Sequence, residues 1–300
     1  MVVPLAQGQV EGHRGDYGLT LMTVRIVTDS SCDLPQNIAD ALGISIVPLS
    51  VRFGNDEYID RTTITTDEFW AKCAASAVLP ETAAPPPGLF EETYRGLAAA
   101  GATTVVVISL SSALSATMQS AELAAKSVAG QIDVRVIDSR NASMGLGLTV
   151  MECAERARAG ATADEIVALA HDLIPRTHVF GALDTLENLK KGGRIGGAKA
   201  MLATALSIKP LIEVKDGVVE EAGKQRTRGK ALAFLVDVLK KHEGRIERVG
   251  LLHAQCPDID SFAASVKSVY SGELIIGDIG AVIGTHAGEG TIGIAFRTKS

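Results

Sequence analysis

Hydrophobic residues along most of this chain follow two alternating patterns. Short β-branched runs alternate with longer segments whose apolar residues recur at helical spacing. In the first half the runs lie at Val24–Val27, Ile44–Val51, Val105–Ile108 and Val134–Ile137. Short strands separated by helices are typical of a parallel sheet that helices cover on both faces. We therefore predict an N-terminal α/β domain over residues 24–175.

Local motifs mark where helices begin in this half. In Thr65–Glu68 and again in Thr162–Glu165, a threonine precedes a glutamate by three positions, the spacing of a capping box at a helix start. A proline-rich segment at 80–88 predicts a loop. Further helices are predicted near Pro35–Leu42, from Leu89 toward Gly101, and at Ser115–Ala129 and Met144–Ala159.

The second half of the chain has a different pattern. Two apolar runs, Ile208–Val214 and Val218–Lys224, flank Asp216-Gly217, a pair that tolerates the positive φ angles of a tight hairpin turn. We therefore predict a second α/β domain over residues 176–300, with a mixed or antiparallel sheet, which meets the first at a cleft. A helical period runs through Leu183, Leu186 and Leu189, further strands are predicted at Val249–His253, Leu274–Gly277 and Ile292–Phe296, and further helices at Lys230–His242 and Ile259–Tyr270.

Composition narrows the class of protein. Hydrophobic residues make up 46% of the chain but aromatic residues only 4%, so the core is predicted to be aliphatic. The net charge of −6 and the lack of a basic block argue against a nucleic-acid partner. No apolar run reaches membrane length, so we expect a soluble protein without an integral membrane segment.

The N-terminal residues and the cysteines bear on localisation. Residues 1–23 contain glycines among polar residues and lack the apolar core of a signal peptide, so we predict a flexible extension. The four cysteines are scattered, with no CxxC pair and no cluster with histidine. Buried thiols in a reducing compartment explain this pattern best, which favours a cytoplasmic location.

Hydroxyl-bearing residues follow two of the predicted strands. Thr28, Asp29 and Ser30 end the first strand, while Ser111 and Ser112 follow the strand at Val105–Ile108. Ligands of open α/β sheets usually bind beyond the carboxyl ends of the strands. These residues therefore predict a site that holds an oxygen-rich head group with neutral donors.

Several roles remain open for Asp29. It fits a general base, a metal ligand or the acceptor of an Asx turn. The following serines favour the turn.

Two cationic candidates lie among glycines later in the chain. His286 has glycines on both sides, which permit close approach to a ligand, and we predict a loop histidine that donates to an anion. Arg194 lies between two glycine pairs and is predicted to contact a ligand or a partner's phosphate. The neighbouring lysines and Gly192 are explained equally well without a ligand, because such residues are common at the C-terminal end of a helix.

No motif in the sequence supports a bound cofactor. Gly288–Gly293 matches GxGxxG letter for letter. A dinucleotide site requires a helix after this motif, and only seven residues follow it. The sequence contains no phosphate-binding loop, nucleophile elbow, HExxH or EF-hand pattern, so no cofactor and no metal site are predicted.

Taken in order along the chain, these motifs resemble the DegV family of bacterial fatty-acid-binding proteins. The resemblance extends from about Val24 to Phe296. The matching stretches are Val27–Ser31, Pro80–Thr82, Leu110–Ser112 with Gln119–Ala121, Asp138-Ser139, Leu189–Ile195, Ile208–Pro210 and His286–Gly290.

The resemblance implies a function and a site. It implies a two-domain α/β protein that buries one long-chain fatty acid in an aliphatic tunnel, with the carboxylate near Thr82, Ser112 and His286. It further implies a non-enzymatic carrier subunit, which presents the acid to a separate ATP-dependent kinase for acyl phosphate formation. Ala83 and Ala84 depart from the family pattern, which has polar residues there.

Two alternatives stay open at this point. One is a regulatory module that binds another small acid, which Ala83 and Ala84 favour. The other is a hydrolase or kinase-like enzyme that uses Asp29, Ser112 and His286.

Overall fold

The computed structural model describes residues 24–300, and the predicted flexible extension at residues 1–23 lies outside the described residues. The strands are β1 Val24–Asp29, β2 Ser45–Val47, β3 Ser50–Phe53, β4 Asp56–Ile59, β5 Glu81–Ala83, β6 Thr104–Ser109, β7 Asp133–Asp138, β8 Thr177–Ala182, β9 Lys209–Lys215, β10 Val218–Gln225, β11 Ile246–His253, β12 Leu274–Asp278 and β13 Ile292–Thr298. The helices are α1 Gln36–Leu42, α2 Thr66–Ala75, α3 Pro87–Ala99, α4 Thr117–Ser127, α5 Ser143–Arg158, α6 Ala163–Leu173, α7 Glu187–Lys191, α8 Arg228–Lys240, α9 Ile259–Lys267 and α10 Ala281–Ala287, with 3-10 turns at Ser30–Cys32, Ile174–Arg176 and Gly196–Ser207.

These strands form two large sheets and one small sheet. The first sheet is parallel, with strand order β2-β1-β6-β7. The second has the order β10-β9-β8-β13-β11-β12 and is mixed, because β11 and β12 run parallel while the other pairs are antiparallel. A small antiparallel sheet has the order β4-β3-β5. The predicted two-domain α/β fold, one parallel sheet followed by one mixed sheet, is confirmed.

Helix α5 packs between the two large sheets. It contacts β1 and β6 on one side and β8, β11 and β13 on the other. Two glycines permit this close approach: a Cβ on Gly145 would lie 2.2 Å from Cγ2 of Val179, and a Cβ on Gly147 would lie 2.7 Å from the carbonyl oxygen of Cys32. The predicted domain division at residue 175 stays a prediction, since α5 precedes it and joins both sheets.

Local sequence signals predicted many of the element ends. Both capping boxes are present, with Thr65 accepting from the Glu68 amide and Thr162 from the Glu165 amide. The turn between β9 and β10 has positive φ at Asp216 and at Gly217, as its sequence predicts. All four cysteines are free, and three of them are buried.

Three predictions about local structure are wrong, and one central strand was not predicted. The single strand predicted at Ile44–Val51 is two strands in different sheets, with Pro48, which lacks an amide donor, between them. The proline-rich loop contains β5, the central strand β8 was not predicted, and the segment around His286 is helix α10 rather than a loop.

The leucines at 183, 186 and 189 are a further difference. Only Leu189 lies in a helix, α7, yet all three are buried together in a cluster with Val219. Their spacing therefore reflects a shared core and not a continuous helix. Within residues 24–300, no helix combines the length and the apolar character needed to cross a membrane.

Candidate functional site

A cavity of about 120 Å³ lies between the two large sheets. Leu49 and Leu110 line it from the side of the parallel sheet, and Val179, Ile212 and Leu252 from the mixed sheet. An apolar cavity with few polar groups is the usual form of a small-molecule site. The polar side chains in its lining therefore show where a head group would be held.

Three polar side chains mark the mouth of the cavity. Oγ1 of Thr82, on β5, lies 2.9 Å from Nε2 of His286, in the last turn of α10. Thr82, His286 and Arg194 line the cavity and also a second, more polar pocket, which includes Asn188 and Lys191 and is called the outer pocket below. The three residues therefore lie at the junction between an apolar interior and a polar exterior.

The imidazole of His286 is held in its neutral form. Burial, and secondly the nearby positive charge of Arg194, lowers the pKa of His286 to about 4. Its Nδ1 atom is buried and has no hydrogen-bond partner among residues 24–300. When the proton is on Nε2, the ring donates to Thr82, which leaves the threonine hydroxyl hydrogen free to donate to an anion.

Helix α7 and the glycines after it fix the position of this histidine. A Cβ on Gly192 would lie 2.3 Å from Nδ1 of His286, so a side chain there would collide with the ring. Nδ2 of Asn188 donates to the carbonyl oxygen of Thr285 at 3.1 Å. Close packing against α10 thus explains Gly192, whereas Gly196 and Gly197 approach Val219 and Glu220 on β10.

Arg194 is oriented by backbone carbonyl groups. Its Nε donates to the carbonyl oxygen of Leu114 at 3.0 Å, and its Nη1 to that of Gly192 at 2.6 Å. These bonds hold the guanidinium at the cavity mouth, where it contributes a positive charge beside His286. The predicted contact of Arg194 with a ligand is compatible with this position.

Asp29 lies in a different, closed environment. Its Oδ2 accepts from the Leu110 amide at 2.8 Å and from Oγ of Ser109 at 3.2 Å, and its Oδ1 accepts from the amide and the hydroxyl of Ser31. The side chain is fully buried, and burial raises the pKa of Asp29. The carboxyl group joins the ends of β1 and β6 and caps the following turn, as the Asx interpretation expects.

The neighbours of Asp29 are also outside the cavity lining. Oγ of Ser30 accepts from the Leu49 amide at 3.1 Å. The hydroxyl of Thr28 is buried without a hydrogen-bond partner within the described range. Both residues support the strand end instead of facing the cavity.

The two serines after β6 have partners elsewhere. Oγ of Ser111 donates to the carbonyl oxygen of Gly217 at 2.7 Å, which joins this loop to the hairpin turn of the mixed sheet. Oγ of Ser112 donates to Oδ2 of Asp138 at 2.5 Å, and Ser112 is exposed. Neither serine belongs to the described lining of the cavity.

The serine that does line the cavity is Ser115, which is not among the residues predicted from the sequence. It follows Leu114, whose carbonyl oxygen holds Arg194, and its Oγ lies 2.9 Å from Oγ1 of Thr117. The signal available in the sequence was a second Leu-Ser pair, Leu114-Ser115, four positions after Leu110-Ser111. The structure thus brings together Thr82, His286, Arg194 and Ser115.

Asp33 is a further buried residue that the sequence analysis did not place at the site. It accepts from the hydroxyl of Ser143, which lines the cavity, and from the Gly280 amide at 3.0 Å. Asp33 thereby joins the N-termini of α5 and α10. Burial raises the pKa of Asp33 to about 7.

No cluster of His, Cys, Asp and Glu within residues 24–300 has the arrangement of a metal site. The cavity mouth itself offers the hydroxyl of Thr82, a neutral imidazole and a guanidinium, and Ser115 adds a hydroxyl in the cavity lining. These groups suit an anion better than a cation.

The fold and the cavity define a class: a two-domain α/β protein with a buried apolar chamber and a polar mouth. The chain belongs to the DegV family, whose family model, described as "Uncharacterised protein, DegV family", matches residues 23–299. A DegV domain-containing protein of Streptomyces coelicolor is 35% identical over 280 residues, which cover 92% of this chain and 99% of that protein.

Solved structures of relatives share the whole fold. A DegV family protein from Thermus thermophilus, described as fatty acid binding, is 36% identical with a TM-score of 0.84, covering 92% of this chain and 99% of that one. DegV from Bacillus subtilis, described as a fatty acid binding protein, is 28% identical with a TM-score of 0.83, covering 93% and 100%. A stearic acid-binding protein from Eubacterium ventriosum is 27% identical with a TM-score of 0.86, covering 92% and 98%.

Proposed function

We propose that this protein binds one long-chain fatty acid, with the carboxylate at the cavity mouth and the tail in the cavity. The observation that carries the proposal is the junction of an apolar chamber with Thr82, His286 and Arg194 at one end. The fatty-acid binding described for the relatives from Thermus thermophilus and Bacillus subtilis supports the same ligand class.

The head group is held mainly by neutral donors in this proposal. The hydroxyl of Thr82 donates to the carboxylate while the neutral ring of His286 orients it, and Ser115 offers a second hydroxyl. Arg194 adds an attractive charge, although its Nε and Nη1 are already bonded to backbone oxygens. A carboxylate held in this way keeps an oxygen that is not paired with a cation.

Burial of the tail supplies most of the binding free energy. A sixteen-carbon acid removes about fifteen methylene groups from water, which is worth roughly 12 kcal/mol at about 0.8 kcal/mol each. Ordering of the chain and loss of free motion offset much of this gain. An aliphatic lining suits a flexible chain, because it makes no directional demand on the ligand.

The outer pocket gives access to the carboxylate from outside. It contains Lys191 and Asn188 and shares the three mouth residues with the cavity. We propose that a separate ATP-dependent kinase in the cytoplasm reaches the carboxylate through this pocket and forms the acyl phosphate. The protein itself then acts as a carrier without a cofactor, because the partner supplies ATP and its metal ion.

Mass spectrometry of the purified and then denatured protein tests the proposal directly. We expect a fatty acid in about one-to-one ratio with the protein. Recovery of only a polar ligand from the native protein contradicts the proposal. Incubation with the kinase and ATP should then convert the bound acid to acyl phosphate, and protein without the kinase should not.

The geometry gives less support to the enzyme alternative. Asp29 is enclosed by its own backbone and serine donors, and Ser112 is bonded to Asp138. Neither belongs to the described cavity lining, whereas His286 does. A catalytic group built from these three residues would therefore require them to leave their present partners.

A further inference from the structure

A groove runs along the surface between the parallel and the mixed sheet, and it meets the cavity away from the mouth. Its lining includes Met118, Val136, Ile137, Arg140 and Lys215. Within residues 24–300, no residue of this groove also lines the outer pocket. The cavity therefore has two distinct neighbours, the outer pocket at the polar mouth and this groove.

Three residues line both the cavity and the groove: Val179, Phe180 and Val214. Val179 and Val214 are paired residues on the adjacent strands β8 and β9, and both pack in the core cluster that includes α5. The ring of Phe180 instead stacks on Phe296 in a different core cluster, so the two valines supply the side chains of the boundary. The side chain of Val179 is locked by α5, since a Cβ on Gly145 would lie 2.2 Å from its Cγ2. Val179 is only 8% exposed, and Val214 is half-buried.

We propose that Val179 and Val214 form an end wall that limits the length of the bound acyl chain. The inference rests on the proposed function, since it concerns the tail of the same ligand. A carboxylate at Thr82 and His286 fixes one end of the acid, so added methylene groups must advance toward the other boundary of the cavity. At the wall they meet valine methyl groups held by a neighbouring helix.

Truncation of the wall should open a path for longer chains. Removing the γ-methyl groups joins the cavity to the groove, where Met118, Val136 and Ile137 provide apolar contacts. Each further methylene that becomes buried favours binding, and two of them raise the affinity about fifteenfold at most. The effect should therefore be a change in chain-length preference and not a uniform gain.

The test is competition among saturated acids of twelve to twenty-two carbons. The variants are Val179→Ala, Val214→Ala and the double variant, and the matched control is Val136→Ala, a valine on β7 that lines the groove but not the cavity. Each protein is incubated with an equimolar isotope-labelled mixture and re-isolated, and the bound acids are measured by mass spectrometry. We expect the occupancy ratio of twenty-carbon to sixteen-carbon acid to rise about fivefold to tenfold in the double variant.

The control and the opposite substitution make the result decisive. The ratio in Val136→Ala should stay within about twofold of the wild type, because its methyl groups line only the groove, which the intact wall separates from the acid. Val214→Leu, which enlarges the wall, should lower the ratio, and it tests the wall even if the alanine variants do not fold. An unchanged ratio in all wall variants, or an equal rise in the control, overturns the inference.

The wild-type protein distinguishes this inference from the proposed function. If it captures none of the labelled acids, the proposed function fails. If it captures them with a clear length preference that the wall variants leave unchanged, only the wall fails.

Discussion

The cluster around Asp29 and the cluster around His286 both place short polar side chains at the edge of a buried core. At Asp29, both carboxyl oxygens accept hydrogen bonds from amides or hydroxyls of the same chain. At His286, the ring shares one bond with Thr82, while its Nδ1 atom has no partner among residues 24–300. The first cluster is closed, and the second opens on both the cavity and the outer pocket.

This difference teaches how to separate structural from functional polar clusters. Buried polar groups are normally hydrogen-bonded, and a group without a partner needs an explanation. A cluster whose bonding capacity is used internally stabilises the fold. A cluster with unused capacity beside a cavity can bind a ligand at little cost, since the ligand replaces missing contacts.

Loss of the Asp29 carboxyl should have the largest effect on stability. Asp29→Ala leaves the Leu110 amide and the Ser31 amide buried without their acceptor. We expect the free energy of unfolding to fall by about 4 kcal/mol. Urea denaturation followed by circular dichroism measures it.

Thr82→Val is the comparison for this stability measurement. Thr82 is half-buried and its hydroxyl has one protein partner, His286. We expect less than about 1 kcal/mol of lost stability. A larger loss in Thr82→Val than in Asp29→Ala would reverse the assignment of structural and functional clusters.

The pH dependence of stability should reveal the buried imidazole. The pKa of His286 in the folded protein is lowered to about 4, whereas an unfolded histidine has a pKa near 6.5. The folded state thus binds fewer protons between these values, so the stability from this group is present above pH 6.5 and is lost as the pH falls to about 4. The free energy of unfolding changes by at most about 3 kcal/mol through this group. The difference in unfolding free energy between wild type and His286→Asn should grow from pH 4.5 to 6.5.

Asp33 provides a control, because its contribution to stability should change with pH in the opposite direction. Its pKa in the folded protein is raised to about 7 from an ordinary value of 3.8, so the folded state binds more protons in this window. Stability from this group is therefore present below about pH 4 and is lost as the pH rises through 7. The difference between wild type and Asp33→Asn should shrink over this range. Equal slopes for the two variants would contradict both assignments.

Replacing Thr82 should weaken ligand binding more than it lowers the stability of the fold. Thr82→Val removes the hydroxyl that donates to the carboxylate in the proposed complex. A hydrogen bond to a charged group is worth enough for about a tenfold loss of affinity. Titration of ligand-free protein with palmitate by calorimetry measures this loss. An unchanged dissociation constant would place the carboxylate elsewhere.

Sequence patterns predicted the fold further than they predicted the site. The hairpin at Asp216-Gly217 and the capping box at Thr162 were predictable because their determinants are local. Strand β8 was not, because its place between β9 and β13 depends on partners far along the chain. Strand β5 likewise exists through its pairing with β3.

The residues of the site could likewise be predicted only in part from the sequence. The resemblance to a family identified Thr82 and His286, but their contact spans 204 positions, which no local pattern reveals. Composition also made the Asp29 segment look like a ligand site, although its donors are used within the turn and by β6. Whether a polar group has spare bonding capacity depends on tertiary packing.

The smallest expected effect separates two serines that the sequence places three residues apart. Ser112 is exposed and bonded to Asp138, whereas Ser115 lines the cavity next to the carbonyl group that holds Arg194. Ser112→Ala should leave palmitate affinity within about twofold, since surface substitutions rarely exceed 0.5 kcal/mol. Ser115→Ala should weaken binding about fivefold, because it removes a hydroxyl at the head-group end. Paired titrations on the two variants measure the contrast, and a loss confined to Ser112→Ala would mean that the loop after β6 rearranges when the acid binds.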